Sequence, residues 1–212
     1  MLTSARLRLI VITDVRLAAP RSIVDVVRAA VDAGAPGIQL RAKETTARET
    51  AEIGRQLRTI TAEAGALLFI NDRFDVSLVV EADGVHIGPD DVPVSALRRI
   101  SPPGFLIGSS TDDPVEAQRL VSDGADYIGC GTVYPTSTKS DAGDSIGVTG
   151  LQAVVDAVEV PVIGIGGVDA GGAHEIAVET TAAGVAVIGA VMQAKDPGIA
   201  VRDLLQPFMH RA

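Results

Sequence analysis

The chain has 212 residues, 47% of them hydrophobic, and a formal net charge of −9. Length and apolar content support one full core, and the longest apolar runs fall far short of the roughly 20 residues that a membrane helix needs. The charge argues against nucleic-acid binding through the overall field, and the single cysteine, Cys130, excludes an internal disulfide and reads as a packed core thiol.

At the N-terminus, Arg6 and Arg8 precede an apolar stretch that reaches Thr13 and Asp14 almost at once, with no secretory core or cleavage site. No Pro/Ser-rich tract, low-complexity run or charge block divides the chain. The expectation is one domain spanning 1–212, cytoplasmic, without a membrane or nucleic-acid partner; homo-oligomerisation is left open.

In chain order the pattern opens with a strand at 9–13, a helix at 22–33, a strand at 37–43 and a helix at 46–64. A strand at 67–71, a helix at 74–82, a strand at 84–88 and a helix at 94–100 follow. Next come a strand at 105–109, a helix at 114–122 and a strand at 127–131. The longest polar connection, at about 132–150, is rich in Ser, Thr, Gly and Asp, and reads as a lid. The remaining elements are a helix at 149–158, a strand at 162–166, a helix at 173–182, a strand at 185–189 and a helix at 197–209.

Ser22, Thr46 and Asp113 suit helix N-caps, while Gly34, Gly65 and Gly124 suit left-handed helix ends. Asp or Ala followed by Gly recurs before apolar runs, at Ala33-Gly34, Asp83-Gly84, Asp123-Gly124 and Ala183-Gly184, as in one unit used repeatedly. Eight βα units predict a compact (β/α)8 TIM barrel. The runner-up, a doubly wound open sheet, lacks a Gly-x-Gly-x-x-Gly after the first strand.

In a barrel the chemistry sits at the C-terminal strand ends, and polar residues collect there. Strand alternation puts Gln39, Arg41 and Lys43 on one face, with Leu40 and Ala42 on the other. Asn71-Asp72 ends the third strand, and the fourth leads to Asp90 and Asp91, between which the sequence does not choose. Carboxylates from two strand ends beside cations suit Mg²⁺ and a diphosphate. The last two strands end in Gly166-Gly167 and Ile188-Gly189, where barrels of this kind hold a phosphate on bare backbone N–H groups. The lid carries Lys139. His86 reads as a core or supporting residue, and His174 and His210 as helix-surface positions.

The chain resembles the thiamin-phosphate synthase (thiamin-phosphate pyrophosphorylase) family over nearly its whole length. The resemblance rests on Ile12-Thr13-Asp14, Gln39-x-Arg41-x-Lys43, Asn71-Asp72-Arg73 and Ala82-Asp83-Gly84-Val85-His86-Ile87-Gly88. It continues in Ala125-Asp126-Tyr127-Ile128-Gly129, Tyr134-Pro135-Thr136-Ser137-Thr138-Lys139 and Ile165-Gly166-Gly167-Val168. It implies a transferase that joins a hydroxymethylpyrimidine diphosphate to a thiazole phosphate, releasing pyrophosphate. By position, Gln39, Arg41, Lys43, Asn71, Ser110 and Lys139 would hold the pyrimidine diphosphate. Asp72 and Asp91 would hold Mg²⁺, and Thr136, Thr138, Gly167, Ile188 and Gly189 the thiazole phosphate.

The implied chemistry is a dissociative substitution in which Arg41, Lys43 and Lys139, together with Ser110, serve the departing diphosphate. The chain departs from the family at Ala42, commonly acidic; at Asp112, where a histidine is common; at Gly189, commonly Ser; and at Pro89. The related thiazole tautomerase and a non-catalytic thiazole or thiamin phosphate sensor are the alternatives. Lys43, Asp72 and Asp91 speak against the tautomerase.

Overall fold

Short strands that are apolar on both faces cannot meet water on either side, and they are stable only with helices outside and a filled interior. The computed structural model describes residues 4–136 and 144–209. It contains eight such strands: β1 (Leu9–Ile12), β2 (Gly37–Leu40), β3 (Leu67–Asn71), β4 (Gly84–Ile87), β5 (Leu106–Ser110), β6 (Tyr127–Cys130), β7 (Val162–Ile165) and β8 (Gly184–Val187). All neighbours pair in parallel, and β8 returns to β1, so the expected eight-stranded barrel closes in sequence order.

The helices are α1 (Val15–Ala18), α2 (Ile23–Asp32), α3 (Ala47–Ala64), α4 (Phe74–Val79), α5 (Val94–Ile100), α6 (Pro114–Ser122), α7 (Gly147–Ala157), α8 (Ala170–Glu179), α9 (Gly189–Met192) and α10 (Pro197–Leu205). Caps fix their ends. The Thr46 side chain accepts from Glu49 N–H while the Glu49 carboxylate accepts from Thr46 N–H, and at the other end of α3 Gly65 turns left-handed at φ 68°. Ser22 and Asp113 cap α2 and α6 as expected. The C-terminal helix expected over 197–209 is α10 followed by a 3-10 turn at Gln206–Phe208.

At the N-terminal ends of the strands one device appears twice. Asp83, just before β4, accepts from Leu68 N–H at 2.8 Å and pairs with Arg58 of α3 at 2.6 Å. Asp126, just before β6, accepts from Ile107 N–H at 2.7 Å and pairs with Arg98 of α5. Each carboxylate thus ties its own strand, the preceding strand and a helix together. This end of the barrel is built for stability.

Inside the barrel, Phe69 of β3 and Tyr127 of β6 meet edge-on with ring centroids 5.3 Å apart. These strands are not neighbours, so both rings fill the interior. None of the described helices is long and apolar enough to cross a membrane.

Candidate functional site

The C-terminal strand ends divide into a charged half, at β2 to β4, and a glycine-lined half, at β5 to β8. In the charged half the sequence reading needs correction. Strand β2 stops at Leu40, so Arg41, Ala42 and Lys43 lie in the following loop and strand alternation does not reach them. The cause is Thr13. Its backbone N–H donates to Gln39 C=O at 2.9 Å, and its side-chain hydroxyl then takes up both Arg41 backbone groups, accepting from N–H at 2.9 Å and donating to C=O at 3.1 Å. The β1–β2 ladder is thereby replaced by a side chain, and the strand ends.

Asp14 continues the grip. Its Oδ1 accepts from Arg16 and Leu17 N–H, capping α1, and its Oδ2 receives the Arg41 guanidinium at 3.3 Å. Ala42 packs against the core, while Lys43 is exposed. Gln39 is buried at the end of β2, and Asn71 is half-buried at the end of β3.

Asp72 follows with a left-handed backbone, φ 63°. That conformation is uncommon outside glycine and is found at sites that the surrounding fold holds in place; here Asp72 N–H donates to His86 C=O at 2.8 Å. Burial, then the charge of Asp91 and a hydrogen bond to it, push the Asp72 carboxyl up to about 6, while Lys43 and Arg41 pull it down. Asp91 is half-buried, and its Oδ2 accepts from Gly88 N–H at 2.8 Å; Asp90 is exposed. Burial therefore separates the two aspartates that sequence alone does not.

Two carboxylates brought together, one of them raised first by burial and then by the other, form a donor set that a hard cation relieves. Mg²⁺ fits it, since that ion commonly takes one or two carboxylates and keeps oxygens from water and phosphate. Among the described residues, no group of three or more His, Cys, Asp or Glu side chains converges as a fuller cage would require.

The other half is a cavity of about 610 Å³, lined among others by Ser110, Thr132, Thr136, Gly167, Ile188 and Gly189. Five of the expected site residues therefore line one space. Strand β8 ends at Val187, so Ile188 and Gly189 start α9 rather than finish the strand. At Gly167, φ is 63° and an added Cβ would lie 2.6 Å from Pro135 C=O and 2.7 Å from Tyr134 C=O, so only glycine fits between the β6 and β7 loops. Tyr134 reinforces that junction: its N–H donates to Gly166 C=O at 3.0 Å and its hydroxyl to Gly172 C=O at 3.2 Å. Thr138 and Lys139 lie outside the described residues, as does the middle of the lid expected over 132–150, whose last four residues are instead the start of α7.

Sequence reasoning assigned no role to Thr13, Asp14, Thr132 or Gln193, although the first two hold Arg41 and the last two line the cavity. Asp14 was accessible as a helix cap directly after a strand; Thr132 and Gln193 give no local signal. His86 supports the site, bonding to Ser110 Oγ at 2.8 Å and to the Tyr127 hydroxyl at 3.0 Å. His174 is exposed on α8, and His210 lies outside the described residues.

Comparison with known proteins identifies the family. A family model described as thiamine monophosphate synthase matches residues 9–191. The thiamine-phosphate synthase of Haloquadratum walsbyi is 46% identical over 195 residues, covering 91% of this chain and 87% of that protein. That of Pyrococcus furiosus is 45% identical over 199 residues, covering 94% and 93%. The solved structure of thiamine phosphate pyrophosphorylase from Pyrococcus furiosus superposes with a TM-score of 0.87 at 42% identity, over 97% of this chain and 96% of that one. A family match across most of the barrel, joined to relatives this similar over nearly their full length, shows that the chain belongs to the thiamine monophosphate synthase family.

Proposed function

We propose that the protein makes thiamin phosphate at this barrel mouth, joining a hydroxymethylpyrimidine diphosphate held in the charged half to a thiazole phosphate held in the glycine-lined half. The observation that carries the reading is the meeting of Asp72 and Asp91 under the charges of Arg41 and Lys43, beside a cavity whose lining includes Gly166, Gly167 and Gly189.

Asp72 and Asp91 would hold Mg²⁺, which when bound neutralises charge on the diphosphate. Arg41 and Lys43 bind the diphosphate oxygens, with Arg41 aimed by Asp14, and Lys139 adds a third cation from the lid. Gln39 and Asn71 orient the pyrimidine, and Ser110 donates toward the leaving group. The diphosphate departs with the bonding electrons of the methylene carbon, and the aminopyrimidine spreads the resulting positive charge. The thiazole nitrogen then forms the new C–N bond. Thr136, Thr138, Gly167, Ile188 and Gly189 fix the thiazole phosphate so that this nitrogen faces the cation.

No side chain acts as a nucleophile. Catalysis rests on fixed cations at the departing charge and on keeping water from the carbocation. The connection between β6 and α7 supplies that closure; because α7 begins at Gly147, it is shorter than the 132–150 that the sequence suggests. The enzyme works in the cytoplasm on small molecules.

The reading is tested by Asp72→Ala and Lys139→Ala. Each is expected to slow turnover by at least about 100-fold, the scale of losing one preorganised electrostatic group, while the protein still folds. Near-normal rates in both variants would contradict it.

A further inference from the structure

A hydrogen-bond chain runs from the buried barrel interior to the cavity wall. Tyr127 is completely buried, and its hydroxyl lies 3.0 Å from His86 Nδ1; His86 Nε2 lies 2.8 Å from Ser110 Oγ. Strand register makes this possible. Asn71, His86, Gly108 and Tyr127 sit side by side across β3 to β6, and Ser110 is paired with Gly129 one layer above. Two glycines make room for the chain. A Cβ on Gly108 would lie 2.1 Å from the Tyr127 ring, and one on Gly129 would lie 3.0 Å from His86 Cε1. The interior has thus been emptied at two positions to seat a phenol and an imidazole under the site.

The direction of the chain follows from the proton inventory. Burial pushes the Tyr127 phenol strongly toward its protonated form, so it has one proton to place. Among the described residues, the hydrogen-bond partner of its hydroxyl is His86 Nδ1. Leaving that proton without an acceptor at a fully buried position would cost about 1–3 kcal/mol. The phenol therefore donates to Nδ1, which must be the unprotonated ring nitrogen. The ring proton then sits on Nε2 and donates to Ser110 Oγ. With its oxygen already accepting, Ser110 has its own proton left to donate into the cavity that it lines.

We infer that Tyr127 is a positioning residue which, through the His86 tautomer, makes the Ser110 hydroxyl a donor aimed at the substrate. This rests on the role proposed above for Ser110. His86 thereby acts as a fixed relay rather than as an acid or base, and Tyr127 influences turnover without touching substrate.

The experiment combines ¹⁵N-histidine NMR of the whole protein with kinetics of Tyr127→Phe, Ser110→Ala and the double variant. Tyr127→Phe keeps the ring that packs on Phe69 and removes one oxygen. The wild-type spectrum is expected to show His86 protonated at Nε2. Tyr127→Phe is expected to lower kcat about tenfold, with an unchanged KM for the thiazole phosphate. It is expected to have no further effect once Ser110 is alanine.

A His86 protonated at Nδ1, a silent Tyr127→Phe, or effects of the two changes that simply add would overturn the relay while leaving the role of Ser110 intact. A silent Ser110→Ala would instead remove that role, and the relay with it. If Tyr127→Phe fails to fold, the wild-type tautomer alone decides.

Discussion

Asp14 holds Arg41 through an ion pair of 3.3 Å in which the side chains are only 6% and 12% exposed, respectively. The same carboxylate caps α1, so the end of β1, the start of α1 and the loop after β2 form one unit around the guanidinium. Asp14→Asn keeps a side chain able to cap the helix but removes the charge that orients Arg41. The expected result is a fall in kcat/KM for the pyrimidine diphosphate of about 10- to 100-fold, the scale of a misplaced binding group. Steady-state kinetics with each substrate varied in turn would check it, because KM for the thiazole phosphate should not change.

The Asp72 carboxyl is raised from 3.8 to about 6, chiefly by burial and then by Asp91. A cation binding there displaces a proton below pH 6, so apparent Mg²⁺ affinity should fall about tenfold between pH 7.5 and pH 5. Titration calorimetry at the two values measures this, and Asp72→Asn should abolish the dependence. The sign for folding is opposite. Because the folded value lies above the unfolded one, the native state binds the extra proton, and the group opposes folding most above pH 6. In EDTA, Asp72→Asn should therefore raise the melting temperature more at pH 7.5 than at pH 5.

Gly167 has a left-handed backbone and no room for a Cβ between Tyr134 and Pro135. The backbone conformation alone makes Gly167→Ala cost about 1–2 kcal/mol, and the crowding adds to it. A melting temperature lower by roughly 4 °C or more is expected, together with a raised KM for the thiazole phosphate. Differential scanning calorimetry and kinetics on the same preparation would show whether both change.

Cys130 is completely buried, and burial followed by the charge of Asp112 pushes its thiol up to about 12. It should be inert in the folded protein. A thiol reagent such as dithionitrobenzoate is expected to report no reactive cysteine under native conditions and one after unfolding.

The barrel was legible because every strand after β1 is a short apolar run bounded by Asp-Gly, Ala-Gly or Gly punctuation, and the helices Val94–Ile100 and Pro114–Ser122 fall where their periodicity puts them. What the sequence concealed was set by tertiary contacts. Gln39-x-Arg41-x-Lys43 alternates like a strand, yet the strand stops because the Thr13 side chain captures the Arg41 backbone. Helices Val15–Ala18 and Gly189–Met192 have only four residues each, too few to show a period. The choice between Asp90 and Asp91 depends on burial, and the Tyr127–His86–Ser110 chain links three strands over separations of 41 and 24 residues. No local pattern encodes either.

The central claim is that the charged half and the glycine-lined half act together on two substrates. Its most direct test is to incubate the purified protein with hydroxymethylpyrimidine diphosphate and thiazole phosphate, with and without Mg²⁺, while following thiamin phosphate and pyrophosphate together. Equal amounts of both products, formed only with Mg²⁺, are the expected result. Binding of the thiazole phosphate with neither product formed would contradict the account and leave the barrel a phosphate-binding or isomerising site.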